Sequence, residues 1–85
     1  MESTILNRRG MFRISRQLFE SELPTIQRIF SRVIPVRCEM TYVDWFEYWG
    51  ISELFEPVEK GMIIPEYDLI FTKTKSGTRF KFKKL

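Results

Sequence analysis

Several carboxylate side chains in the middle of the chain have a spacing that could suit metal binding or catalysis. Glu53, Glu56 and Glu59 are spaced by three, and Glu66 and Asp68 follow them. Such carboxylates could bind the magnesium ion of a nuclease, but acidic residues of a solvated loop show the same pattern. The chain has no histidine, which removes the commonest general base and metal ligand. The sequence therefore predicts no catalytic site, no metal and no cofactor, and we expect that the protein is not an enzyme.

Cys38 is the single cysteine of the chain, so no disulfide can form within it. Small secreted domains commonly need disulfides, and no apolar stretch resembles a signal peptide or approaches the roughly 20 residues that cross a bilayer. We therefore expect a reducing, cytoplasmic location and no membrane partner. Cys38 alternates with Val36 and Met40, and this spacing predicts that it packs in the core as a small apolar residue and is not a reactive thiolate.

Aromatic residues are concentrated between positions 42 and 49. Five of these eight residues are aromatic: Tyr42, Trp45, Phe46, Tyr48 and Trp49. In an extended strand Trp45 and Trp49 point to one face, whereas Phe46 and Tyr48 point to the other. A single helix covers one face of a sheet, so one pair is expected to be exposed unless the apolar loop 52–65 covers it. The aromatic enrichment favours the hypothesis that Trp45, Trp49, Phe46 and Tyr48 anchor a partner protein over the hypothesis that the loop caps them.

Charge is distributed unevenly along the chain, although the net charge is only +3. Residues 1–43 include seven basic and four acidic residues. Residues 44–68 include one basic and seven acidic residues, and residues 69–85 include six basic and no acidic residues. The acidic middle and the basic C-terminal strand either lie side by side and neutralise each other or leave a basic surface for a partner.

The basic C-terminal surface supports an alternative function. Its residues are Arg79, Lys81, Lys83, Lys73 and Lys75. Alternating cations of this kind can contact the phosphates of a nucleic acid, although lysines on an edge strand also protect against aggregation. The sequence leaves open whether the helix arginines Arg16, Arg28 and Arg32 join this surface, which would strengthen the nucleic-acid hypothesis.

One helical segment is predicted between two stretches of strand. Residues 11–14 alternate as a short strand, and Ser15 is a suitable N-cap for the helix that follows. The apolar stripe of the helix consists of Phe19, Leu23, Ile26, Phe30 and Val33. Pro24 lies inside this stripe and cannot donate its backbone N–H, which predicts a kink or a new helix after Ser21. The helix must end by Ile34 because Pro35 disfavours a helical residue before it.

Strands are predicted over the rest of the chain. Residues 36–42 alternate with a period of two, residues 45–51 form the next strand, and residues 67–74 and 78–85 form a hairpin. A turn at Ser76 and Gly77 places Tyr67, Leu69, Phe71, Phe80 and Phe82 on one face of this hairpin. The fold class is α+β, a single small domain with one N-terminal helix, interrupted at Pro24, on one face of a mostly antiparallel sheet in the order β-α-β-β-β-β. Residues 1–10 are an N-terminal extension and residues 11–85 the domain.

The small size and the lack of catalytic motifs favour a non-enzymatic protein-interaction module. An adaptor or an inhibitor fits this description, for example a phage or mobile-element accessory protein that acts on a host machine. The expected partner is another protein or a second copy of the chain, bound through the aromatic strand, and no small-molecule substrate is expected. Nucleic-acid binding through the basic face of the hairpin is the alternative.

Overall fold

Two short helices and five strands follow one another in the predicted order. The computed structural model describes residues 4–42 and 44–85. Its elements are a 3-10 turn Thr4–Asn7, β1 Arg9–Ser15, α1 Arg16–Ser21, α2 Leu23–Arg32, β2 Ile34–Tyr42, β3 Trp45–Ile51, β4 Tyr67–Thr74 and β5 Gly77–Lys84. The α+β fold class is confirmed. Residues 1–3 of the predicted N-terminal extension lie outside the described residues, as does the side chain of Tyr42.

Pro24 divides the helical segment into α1 and α2, as the sequence predicts. The hydroxyl of Ser15 caps α1 by accepting a hydrogen bond from the Leu18 N–H at 3.3 Å. After Glu22 leaves the helical conformation, Pro24 lies in the first turn of α2, where a missing N–H breaks no hydrogen bond. No helix in residues 4–42 or 44–85 has the length and apolar character needed to cross a membrane.

Strands β1, β3 and β2 form an antiparallel sheet in that order. Phe12 of β1 and Cys38 of β2 both lie opposite Tyr48 of β3. The face that carries these residues turns toward the helices, and the buried core contains Phe12, Ile14, Ile26, Ile29 and Val33. Leu23, predicted to belong to the helical stripe, is exposed instead because it lies at the break between the two helices.

The hairpin of β4 and β5 has the predicted faces but a different turn. Thr74 lies opposite Gly77 and Leu69 opposite Phe82, so Lys75 and Ser76 form the turn, and the prediction of Ser76 and Gly77 is wrong. Gly77 has a φ of +127°, a value that glycine adopts readily as it begins β5. The register differs from the predicted one by two residues, and since side chains alternate with a period of two, the apolar face is unchanged.

The hairpin folds over the helical side of the three-stranded sheet and closes the core. At its start, the Met11 N–H donates to the carbonyl of Pro65 at 3.0 Å, which holds β4 beside β1. The Phe82 ring then lies 5.0 Å from Phe12 and 4.9 Å from Phe55, measured between centroids. The loop between β3 and β4 therefore contributes Phe55 to this core.

Candidate functional site

The aromatic residues of β3 divide between the two faces of the sheet. Phe46 and Tyr48 face the helices: the Phe46 ring lies 5.4 Å from Phe19, and the Tyr48 ring 4.9 Å from Phe30. Trp45, which is 44% exposed, and the half-buried Trp49 lie on the opposite face. Of the four predicted anchors, Trp45 is exposed, Trp49 is half-buried, and Phe46 and Tyr48 pack toward the helices.

Charged side chains surround the tryptophans on the outer face of the sheet and contact one another or the Trp49 ring. The Arg37 guanidinium lies 4.7 Å from the centroid of the Trp49 ring, a cation–π contact. Glu47 is only 8% exposed and forms a salt bridge with Arg13 at 2.8 Å. Arg37 also pairs with Glu39. These contacts fix the orientation of the charged groups that lie beside the edge of the sheet.

The outer edge of β2 carries exposed apolar side chains. In the described part of the chain, β3 is the strand that pairs with β2, and the other edge of β2 is open. Ile34, Val36 and Met40 are 60%, 61% and 64% exposed, and Cys38 is exposed as well. The prediction that Cys38 packs in the core is therefore wrong. The buried core residues of this sheet, Phe12 and Ile14, belong to β1, and Tyr48 of β3 is partly buried against them. The inward-pointing residues of β2 remain uncovered.

Cys38 and Tyr48 interact across β2 and β3. They lie opposite each other in the sheet register. Burial is the main cause that raises the pKa of Tyr48 to about 12, and the negative charge of ionised Cys38 and a hydrogen bond with Cys38 add to it. The register places the two side chains on the face of the sheet that turns toward the helices.

A groove of about 610 Å³ lies between α2 and β5. We call it the basic groove, and it is lined by Arg28, Ser31, Arg32, Leu54, Thr74, Ser76, Gly77, Thr78, Arg79, Phe80, Lys81 and Phe82. The Arg28 guanidinium donates to the Thr78 carbonyl and, at 3.2 Å, to the Thr25 hydroxyl. It therefore ties α2 to the start of β5 and forms one end of the groove.

Two of the five predicted basic residues line this groove, and the other three do not. Arg79 and Lys81 line it together with the helix residues Arg28 and Arg32. The remaining three, Lys73, Lys75 and Lys83, are exposed on the hairpin outside the lining. Two of the three helix arginines, Arg28 and Arg32, thus join the basic residues of the hairpin in one surface. Arg16 instead pairs with Glu20 on α1 and lies apart from the groove.

The acidic segment 44–68 pairs mainly with the N-terminal half of the chain. Glu47 and Glu66 contact Arg13, and Glu53 contacts Arg32. In the described residues, one ion pair joins this segment to the C-terminal strand, that of Glu56 with Lys84 at 3.2 Å. Arg79, Lys81 and Lys83 form no ion pair with the described carboxylates. Neutralisation of the C-terminal strand by the acidic segment is therefore slight.

The carboxylates considered for a metal site lie apart. Glu53, Glu56 and Glu66 have three different basic partners. Among residues 4–42 and 44–85, no three acidic or cysteine side chains approach closely enough to hold a metal ion. The described residues thus give the nuclease hypothesis no shared cation site.

No family model, curated protein or solved structure matches this chain. Two surfaces stand out in the geometry of the described residues, the edge of β2 with the adjoining tryptophans and the basic groove.

Proposed function

We propose that this chain is a non-enzymatic protein-interaction module that binds an extended strand along β2, and that a second copy of the chain is its partner. The observation that carries the proposal is the open edge of β2, where three large apolar side chains are more than half exposed. A free edge offers unpaired N–H and C=O groups to another strand. Most proteins protect such an edge with charged residues or cover it.

The sequence of β2 is complementary to itself in an antiparallel arrangement. Pairing centred on Cys38 places Arg37 opposite Glu39 of the partner subunit, and the two-fold axis repeats this ion pair. The same register places Val36 opposite Met40 of the partner subunit, so exposed apolar side chains cover each other. Each such cross-strand pair contributes about 0.2–1 kcal/mol. In the pairing of β2 with β3, register shifts lie between Pro35 and Arg37 and between Met40 and Tyr42. Residues 37–40 are therefore the regular centre of the strand, and the pair of Val36 with Met40 lies at its margin.

The outer face of the sheet, which carries Trp45 and Trp49, supports this mode of binding. Arg37 is held over Trp49 at 4.7 Å, so its guanidinium has already lost part of the freedom that binding would otherwise remove. Trp45 lies on the same face of β3 and is available to the partner protein. Tryptophan and arginine are typical of the residues that dominate protein interfaces.

Charge reversal at the edge tests the proposal. Arg37→Glu places a glutamate opposite Glu39 of the partner subunit at two symmetric positions, and we expect dimerisation to weaken by about tenfold or more. Glu39→Arg has the same effect. The double variant Arg37→Glu/Glu39→Arg restores both opposite-charge pairs and is expected to dimerise again. Sedimentation velocity over a range of concentrations measures the change.

The control substitution is Ile63→Lys, at a loop side chain that is 92% exposed, and it leaves the dimerisation constant unchanged. Oxidation with copper phenanthroline is expected to link the two Cys38 residues, because a centred register brings opposed cysteines within disulfide range. A chain that stays monomeric at high concentration, or a double variant that behaves like either single variant, contradicts the proposal.

A further inference from the structure

The basic groove combines positive charge with aromatic surface. All four charged residues of its lining are cations, Arg28, Arg32, Arg79 and Lys81, and its apolar lining includes Phe80 and Phe82. Hydroxyl groups of serine and threonine occupy much of the remaining wall. Single-stranded nucleic acids are bound by this combination, in which cations contact phosphates and aromatic rings stack on bases.

In the tertiary structure, cations lie close to the aromatic residues of the hairpin, although the hairpin alone has them on opposite faces. Along β5, Phe80 and Phe82 point to the face opposite Arg79 and Lys81, so one face of the hairpin cannot hold bases and phosphates together. Helix α2 lies on the aromatic side and supplies Arg28 from there. Cations thus border the aromatic residues on both sides of the groove.

We propose that the basic groove binds single-stranded nucleic acid, with phosphates on its arginine and lysine side chains and a base against Phe80, since the Phe82 ring already packs on Phe12 and Phe55. This site is separate from the β2 edge. Arg79 and Lys81 form no ion pair with the described carboxylates, and Arg28 is oriented by Thr25 and Thr78. Arg32 is partly neutralised by Glu53 at 2.8 Å, so its contribution is smaller.

Two other anionic ligands fit less well. The bases of a duplex are stacked and paired inside the helix, so they cannot reach Phe80. An acidic peptide satisfies the cations but has no base to stack on the rings. Both ligands serve as comparisons in the test.

The test measures the anisotropy of a fluorescein-labelled 12-nucleotide oligothymidine titrated with the full chain at several salt concentrations. Release of counterions from about three phosphate contacts predicts a slope of about −2 for log K against log salt. Arg79→Glu/Lys81→Glu is expected to abolish binding. Arg9→Glu/Lys60→Glu has the same net charge but alters a different cavity, lined by part of the loop between β3 and β4, and it retains most of the affinity.

Phe80→Leu separates stacking from charge. This variant keeps an apolar side chain and every cation, and loss of one stacked base is expected to weaken binding about fivefold or more. Circular dichroism confirms that each variant is folded, and the charge variants change only exposed positions. Equal loss in both charge-reversed pairs, an unchanged affinity in Phe80→Leu, or equal competition by duplex DNA or a polyglutamate peptide overturns the proposal. Repeating the titration with the Arg37→Glu variant separates this result from self-association.

Discussion

The contact between Phe12 and Phe82 is one of the contacts that hold the hairpin against the sheet. The two rings meet edge to face, with centroids 5.0 Å apart and planes at 60°. Such a pair contributes about 0.5–1.5 kcal/mol beyond the area it buries. We therefore expect a coupling energy of this size in a double-mutant cycle of Phe12→Leu and Phe82→Leu, while each single substitution lowers the free energy of unfolding by about 1–2 kcal/mol.

Urea denaturation at 25 °C, followed by tryptophan fluorescence, measures these free energies. A domain of this length has a total stability of roughly 4–13 kcal/mol, so the single variants remain folded. The control cycle pairs Phe82→Leu with Trp45→Leu, because Trp45 lies on the opposite face of the sheet and the coupling is expected to stay within about 0.5 kcal/mol. A coupling of Phe12 with Phe82 as small as that of the control would refute the packing of the hairpin, and with it the fixed wall of the basic groove.

Three further substitutions test the interior and the sheet. The pKa of Tyr48 rises from 10.0 to about 12 on folding, so the unfolded chain ionises first and stability falls as the pH rises from 10 toward 12. Urea titrations across this range should show a shallower decline in Tyr48→Phe, and an equal decline in both proteins would contradict the burial of this hydroxyl. Gly50→Ala places a Cβ 2.5 Å from Val33 Cγ1, and the resulting overpacking is expected to cost about 1–3 kcal/mol in the same assay. Arg13→Met removes the 2.8 Å partner of the buried Glu47; a loss of about 1–3 kcal/mol is expected, and a change below 0.5 kcal/mol, typical of a surface pair, would count against this arrangement.

Local patterns predicted much of the fold. The helix break follows from the missing N–H of Pro24, and the apolar face of the hairpin follows from alternation along β4 and β5. Both depend only on residues that are neighbours in the sequence. The hairpin turn was predicted one residue too far along the chain, because alternation specifies the face of a strand but does not specify which residue begins it.

The exposure of side chains in the candidate sites could not be predicted from the sequence. A period of two correctly placed Cys38 on one face of β2, but it could not tell whether any element covers that face. The same limitation applies to Trp45 and Trp49, whose exposure depends on where the loop between β3 and β4 packs. This loop contributes Phe55 to the core on the helical side.

The sequence by itself determined the types and the order of the elements and the residues that share each face, because these depend on backbone sterics and short-range periodicity. Only the tertiary structure decided which faces are covered. It left the edge of β2 open, and it brought Arg28 to the start of β5, 50 residues away, to form one groove with Arg79 and Lys81. Such contacts depend on how the elements pack across the core, which no local pattern of residues specifies.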